Sequence, residues 1–122
     1  MKTVVVGASP NPSRFSYRAF ERLRSKGIDV VPLGIKSGSV LGTSIINIRE
    51  RPEMSDVDTL TIYVSESNLK DWEGYLLSLN PKRIIFNPGA ENISLESKAI
   101  NNGISVVNDC TLVMLSLGVY NQ

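Results

Sequence analysis

Five short runs of apolar and β-branched residues punctuate the chain, and no other feature limits its fold as much. They are Val4-Val5-Val6, Ile28-Asp29-Val30-Val31, the stretch Val57-Asp58-Thr59-Leu60-Thr61-Ile62-Tyr63-Val64, Arg83-Ile84-Ile85-Phe86-Asn87, and Ile104-Ser105-Val106-Val107. Each has the length and residue type of a strand. The segments between them carry apolar residues at helical spacing instead. Tyr17, Phe20 and Leu23 fall on one face of a helix predicted over about residues 16–26, which Gly27 is placed to stop. Leu69, Trp72, Leu76 and Leu79 give a second stripe, entered through residues 65–68. Further helices are predicted over about residues 94–101, ended by Gly103, and over residues 110–117.

Near-continuous apolar strands mark a parallel sheet covered on both faces, and the helices between them supply the crossovers. The expected fold class is therefore α/β: a single-domain, Rossmann-like, doubly wound parallel sheet of about five strands with helices on both faces. A chain of 122 residues has the length of one domain, residues 1–122, and 42% apolar content is enough for a core. Pro32 is expected to end the second strand. Residues 33–42 hold three glycines and Lys36 and read as a loop, while periodicity leaves residues 43–48 between strand and irregular chain. In doubly wound sheets ligands sit beyond the C-terminal strand ends, where strand order reverses. Four polar turns lie at such ends, at residues 7–14, 33–36, 64–67 and 87–92, and they are expected to converge on one crevice.

The first of these turns is Gly7-Ala8-Ser9-Pro10-Asn11-Pro12-Ser13-Arg14. A strand, a tight loop and a helix start make an anion site, because free backbone N–H groups and the positive end of the helix dipole point the same way. Gly7 removes a Cβ from the approach of a ligand, and the Arg14 guanidinium suits a phosphate gripped by two parallel hydrogen bonds. The run is not a P-loop, since no Lys-Ser or Lys-Thr follows a second glycine, and Ser9 breaks the G-x-G-x-x-G dinucleotide pattern. Charge supports the reading. The formal total is only +1, which gives no overall pull toward nucleic acid or a membrane. Residues 1–36 nonetheless carry seven Lys or Arg against two acids, and residues 37–122 carry six against ten. Positive potential therefore gathers beside the cradle, as a polyanionic small molecule would want.

The end of the second strand narrows the ligand. An NAD site would place an acid there to hold the ribose 2′-OH. Val30-Val31-Pro32-Leu33-Gly34 brings none, and Lys36 follows. A cation in that place suits a phosphorylated ribose, as in NADP or the 3′-phospho-ADP of coenzyme A, and composition and spacing leave both open.

The opening motif, continued by Ser16-Tyr17-Arg18, resembles that of the small stand-alone CoA-binding domain family. So do Val31-Pro32-Leu33-Gly34-Ile35-Lys36 followed by Val40-Leu41-Gly42, the Asn87-Pro88-Gly89 turn with Glu91, and Asn108-Asp109-Cys110-Thr111-Leu112. The likeness spans nearly the whole chain, and the family is similar to the CoA-binding domain of the succinyl-CoA synthetase α subunit. Leu33-Gly34 departs from the Asn-Pro common in the family. The resemblance implies a cofactor, coenzyme A or an acyl-CoA, and a set of roles. Gly7, Ala8 and Ser9 would offer backbone and hydroxyl donors to the pyrophosphate, and Arg14 and Ser16 would complete the grip. Pro12 and Tyr17 belong to the same motif and count among the cofactor-binding residues. Lys36 would meet the 3′-phosphate or the adenosine side. Val64 and Ser65 would line the adenine or pantetheine path, although a helix N-cap is the stronger reading for Ser65. Gly89 would leave room for the pantetheine arm.

Catalysis finds little support. The chain has no histidine, which removes histidine triads and histidine metal ligands, and it lacks the second domain in which the synthetases do their chemistry. Cys110 is the only cysteine, so no disulfide forms within the chain. A helix N-terminus would activate it, but Asp109 opposes this and no histidine is available as base, so a buried structural cysteine is the stronger reading. Glu91 stands alone as a carboxylate, and no catalytic or metal-binding residue is assigned. No run approaches the ~20 apolar residues of a membrane span, and no signal-peptide core precedes Gly7, so a cytoplasmic protein is expected. The reading is a non-catalytic sensor, carrier or regulatory module that binds a small molecule, with a homo-oligomer or protein partner left open. The alternatives are an NADP-dependent oxidoreductase subunit, a redox sensor based on Cys110, and an interaction domain using Phe15 and Tyr120.

Overall fold

Val4, Val5 and Val6 are all fully buried, as befits a strand flanked on both sides and covered on both faces. In the computed structural model, which describes residues 1–121, they belong to β1 (Lys2–Val6), followed by α1 (Phe15–Ser25) and β2 (Asp29–Gly34). β3 (Ser39–Val40) and β4 (Thr43–Ser44) form a separate antiparallel hairpin, and β5 (Ile46–Asn47) leads into a 3₁₀ turn at Ile48–Glu50. The chain continues through β6 (Val57–Ile62), α2 (Glu66–Leu69), a 3₁₀ turn at Lys70–Trp72 and α3 (Glu73–Ser78). It closes with β7 (Arg83–Phe86), α4 (Ile93–Asn101), β8 (Ser105–Asn108) and α5 (Thr111–Ser116).

The main sheet has the order β5-β2-β1-β6-β7-β8, and every pair in it is parallel. Period-two alternation sends Val4, Val6, Leu60, Ile62, Ile84 and Phe86 to one face, where Leu69 of α2, Leu76 of α3 and Leu95 of α4 cover them. Val5 and Ile85 turn to the other face and meet Phe20 and Leu23 of α1 and Met114 and Leu115 of α5. Each large apolar side chain buried this way contributes roughly 1.5–3 kcal/mol. The sheet is doubly wound with helices on both faces, as expected, within a single α/β domain. Position 122 of the expected span lies outside the described residues.

Four expectations need correction. The sheet has six strands rather than about five, the extra one being β5, which lies where periodicity was undecided. Pro32 does not end β2 but sits inside it, paired in register with Val5. The carbonyl of Leu33 faces β1, accepting from Gly7, so the backbone of Pro32 faces the opposite edge, where β5 pairs only with Leu33 and Gly34. No partner there needs the N–H that proline lacks. Residues 33–42 are also not simply loop, since β2 runs to Gly34 and the β3–β4 hairpin turns at Leu41-Gly42, both at positive φ (48° and 82°). Tyr120 is no surface aromatic: it is buried, its hydroxyl lies 2.6 Å from Thr3 Oγ1, and Arg83 stacks 4.5 Å from its ring centre.

Candidate functional site

From β1 the sheet grows outward through β2 and β5, then the chain returns to the far side of β1 with β6 and grows through β7 and β8. Strand order reverses between β1 and β6, and there the loops leaving the two strands part to leave a crevice. A cavity of about 370 Å³ occupies it. Gly7, Ala8, Arg14, Lys36, Val64 and Ser65 all line this cavity, so three of the four polar turns expected to converge do so.

The loop after β1 is braced from within. The Asn11 side chain accepts from the Ser13 N–H (3.0 Å) and hydroxyl (2.9 Å), and Ser9 Oγ accepts from the Asn11 N–H (3.1 Å). The N–H groups of Gly7 and Ala8 both donate to the Leu33 carbonyl, at 2.9 and 3.1 Å. They close β1 onto β2 and are not free donors, contrary to the cradle role expected of them. Gly7 is also required for a reason other than ligand approach. A Cβ on it would lie 2.7 Å from Val64 Cγ2, and its φ is +95°. Gly34 performs a similar service, since a Cβ there would stand 3.1 Å from the Ala8 carbonyl oxygen.

Free donors come from α1. Its N-cap residue is Arg14, which makes no side-chain cap, and no acid lies in its first turn. Among the described residues nothing accepts from the N–H groups of Phe15, Ser16 and Tyr17, and Ser9 N–H is likewise unpaired. Arg22 and Arg24 in the last turn complement the dipole at its other end. The two ion pairs among the described residues are Met1–Asp56 and Lys98–Glu73. Arg14 and Lys36 are thus exposed, unpaired cations on one cavity whose lining includes no carboxylate. Two free cations on one hollow, one of them the N-cap residue of an uncapped helix, fit a polyphosphorylated ligand.

The remaining predicted residues stand elsewhere. Ser9 and Ser16 are buried beneath the loop, Pro12 is exposed on its outer side, and Tyr17 packs against the α1–α5 core. Ser65 occupies the N-cap position of α2 with extended backbone, yet its side chain makes no capping bond and it lines the cavity. Gly89 follows β7, and its N–H donates to Glu91 Oε1 at 2.9 Å, which ties the only carboxylate suggested as a base into its own turn. Among the lining residues that the sequence did not assign to the site are Gly34, Ile35, Tyr63 and Trp72. Trp72 carries the Arg51 guanidinium 4.8 Å from its ring centre.

The fourth turn borders a smaller cavity of about 110 Å³, lined by Phe15, Tyr63, Asn87, Pro88, Cys110 and Leu112. Tyr63 lines both hollows. Burial pushes its hydroxyl up to about 12, and although the Thr61 and Thr111 hydroxyls oppose the shift, neither forms a hydrogen bond with it. Asn87 is buried, and its amide donates to Thr61 Oγ1 (2.7 Å) and the Ile62 carbonyl (2.9 Å) while accepting from Thr111 N–H (2.8 Å). Cys110 is half-buried at the start of α5 rather than enclosed in the core.

Residues 1–116 match the family described as CoA binding domain. No curated protein matches the chain. Among solved structures, that of an uncharacterized protein is 50% identical, with a TM-score of 0.94 over 98% of this chain and 97% of that one. The cell-free ID.343 structure from Thermus thermophilus is 25% identical, with a TM-score of 0.81 over 98% and 90% of the two chains. A hypothetical protein from Pyrococcus horikoshii OT3 shares the fold at 24% identity and a TM-score of 0.81, over 95% of this chain and 82% of that one.

Proposed function

We propose, because the chain belongs to the CoA binding domain family, that the crevice between β1 and β6 binds coenzyme A or an acyl-CoA without transforming it. One observation carries the reading: Arg14, the N-cap residue of the uncapped α1, and Lys36 line one cavity whose lining includes no carboxylate. The pyrophosphate is assigned to the free N–H groups of α1 and to Arg14. Lys36 is assigned to the 3′-phosphate, and the apolar wall of Ile35, Val64 and Trp72 to the adenosine and pantetheine. Coenzyme A supplies a thiol, or a thioester when acylated, while this chain's residues bind and orient. A module that holds the cofactor without a catalytic base suits a sensor, carrier or regulatory role.

Calorimetric titration with CoA, dephospho-CoA and NADP tests the assignment. CoA should bind tighter than NADP. Arg14→Ala should weaken CoA by more than ~1.5 kcal/mol, over tenfold, as a charge-assisted contact is lost. Lys36→Ala should weaken CoA while leaving dephospho-CoA unchanged. Preference for NADP would favour an oxidoreductase subunit instead, and equal losses for CoA and dephospho-CoA would remove Lys36 from the 3′-phosphate.

A further inference from the structure

The small cavity beside Cys110 stands next to the proposed cofactor crevice. Arg14 lines the crevice and its neighbour Phe15 lines the small cavity, while Tyr63 lines both. A chain leaving the crevice past Tyr63 would enter it. Its walls are mainly apolar, from Phe15, Pro88 and Leu112. The Asn87 amide is already engaged, with both donors given to Thr61 and Ile62 and its oxygen held by Thr111. No cation lines the cavity. The Tyr63 hydroxyl, though unpaired, is itself buried, so a charged or hydroxylated group would find no cation and no free amide donor there, and burying it unpaired is costly.

We infer that this cavity is the acyl chamber of the cofactor site and that it selects short, uncharged acyl groups. The inference rests on the CoA reading above and names the ligand class that reading leaves open. The volume sets the length. At about 110 Å³, and with each carbon taking roughly the ~30 Å³ that a water occupies in the liquid, the chamber holds three or four carbons. Acetyl to butyryl groups fit, and longer chains must leave it. Cys110 would then border the thioester end.

The test is a series of titrations of the full chain with CoA, acetyl-, butyryl-, octanoyl- and succinyl-CoA. Each buried methylene gives roughly a fourfold gain. Butyryl-CoA, with two more methylenes, should therefore bind about fifteenfold tighter than acetyl-CoA, octanoyl-CoA should gain nothing further, and succinyl-CoA should do no better than CoA. Leu112→Trp, which fills the chamber, should abolish the butyryl preference and leave CoA affinity unchanged. Phe15→Ala, at a side chain 65% exposed and so safe for folding, should reduce the same preference by opening one wall. Alkylation of Cys110 by iodoacetamide should slow more with saturating butyryl-CoA than with saturating CoA. If CoA binds but the acyl forms bind no tighter, or if Leu112→Trp keeps the preference, the chamber is rejected and the CoA reading stands. If neither CoA nor any acyl-CoA binds, both fail.

Discussion

Asn87→Ala should destabilise the protein more than its position in a turn suggests. The side chain is 2% exposed and makes three hydrogen bonds, of 2.7, 2.9 and 2.8 Å, that join β6 to the start of α5. Not all of its partners are orphaned by the change. Thr61 Oγ1 keeps its 2.8 Å contact with Thr111 Oγ1, and the Ile62 carbonyl still receives the backbone N–H of residue 87. The Thr111 N–H, fully buried, loses its acceptor outright. Two lost bonds at about 1 kcal/mol each, plus about 1–2 kcal/mol for an unsatisfied buried donor, give about 3–4 kcal/mol. For a chain of this length, with unfolding entropy near ~2.1 cal/mol/K per residue, that lowers Tm by about 12–16 °C. Urea unfolding followed by circular dichroism reads the change as a shift of midpoint at constant slope. A loss below about 1 kcal/mol would refute the reasoning, because it would mean that water or a local shift replaces all three partners.

Three further outcomes follow from particular contacts. Gly7→Ala should cost about 1–3 kcal/mol, because it combines positive φ with a 2.7 Å approach to Val64, whereas Gly89→Ala, at φ +89° with nothing within 4 Å, should cost less; thermal melts of the pair separate crowding from conformation. Tyr63 ionises near pH 10 when unfolded but near 12 when folded, so its effect on stability is flat below pH 10 and stability falls by about 2–3 kcal/mol as pH rises to 12. Tyr63→Phe should remove that fall and, since the hydroxyl has no partner, leave stability at pH 7 equal or higher, as urea titrations at pH 7 and 11 would show. Burial pushes the Glu73 carboxyl up, but hydrogen bonds from Lys98 and Ser94 outweigh it and hold it below the ordinary carboxylate value. The pair's contribution is therefore present above about pH 4.5 and lost as acid protonates Glu73. Lys98→Met should cost about 1–3 kcal/mol at pH 7 and much less at pH 3.

The fold was legible because each of the five longer strands of the main sheet announces itself twice, by β-branched or apolar residues and by polar turns that follow. Val4-Val5-Val6 could only be a central strand. Pro32 misled because proline usually ends a strand, and whether it does depends on what pairs beyond it, which local sequence does not carry. Ile46–Asn47 was illegible for the same reason: two residues have no periodicity, and only the exposed edge at Leu33 and Gly34 makes them a strand. At the site, Arg14, Lys36, Val64 and Ser65 were findable as polar or terminal residues at strand ends. Tyr63 and Trp72 were not, because an aromatic at a strand end or on a helix stripe looks like core. Asn87 reads as the start of a polar turn, whereas three buried partners make it a structural brace.

Gly7 and Ala8 show how a turn can border the cavity and still spend its backbone donors elsewhere. A glycine-rich turn after a first strand suggests backbone donors aimed at phosphate, yet here both N–H groups close β1 onto β2 through the Leu33 carbonyl. What remains for an anion is the uncapped end of α1 and two exposed cations, Arg14 and Lys36. Exposed charges are screened over about 8–10 Å at ordinary ionic strength, whereas donors fixed within a loop are screened much less. The site's grip on a phosphorylated ligand should therefore depend strongly on salt, and its selectivity should come from the apolar walls that salt does not touch. On the proposed function, the exposed cations would then hold the phosphates while the apolar walls beyond Tyr63 would choose among acyl groups.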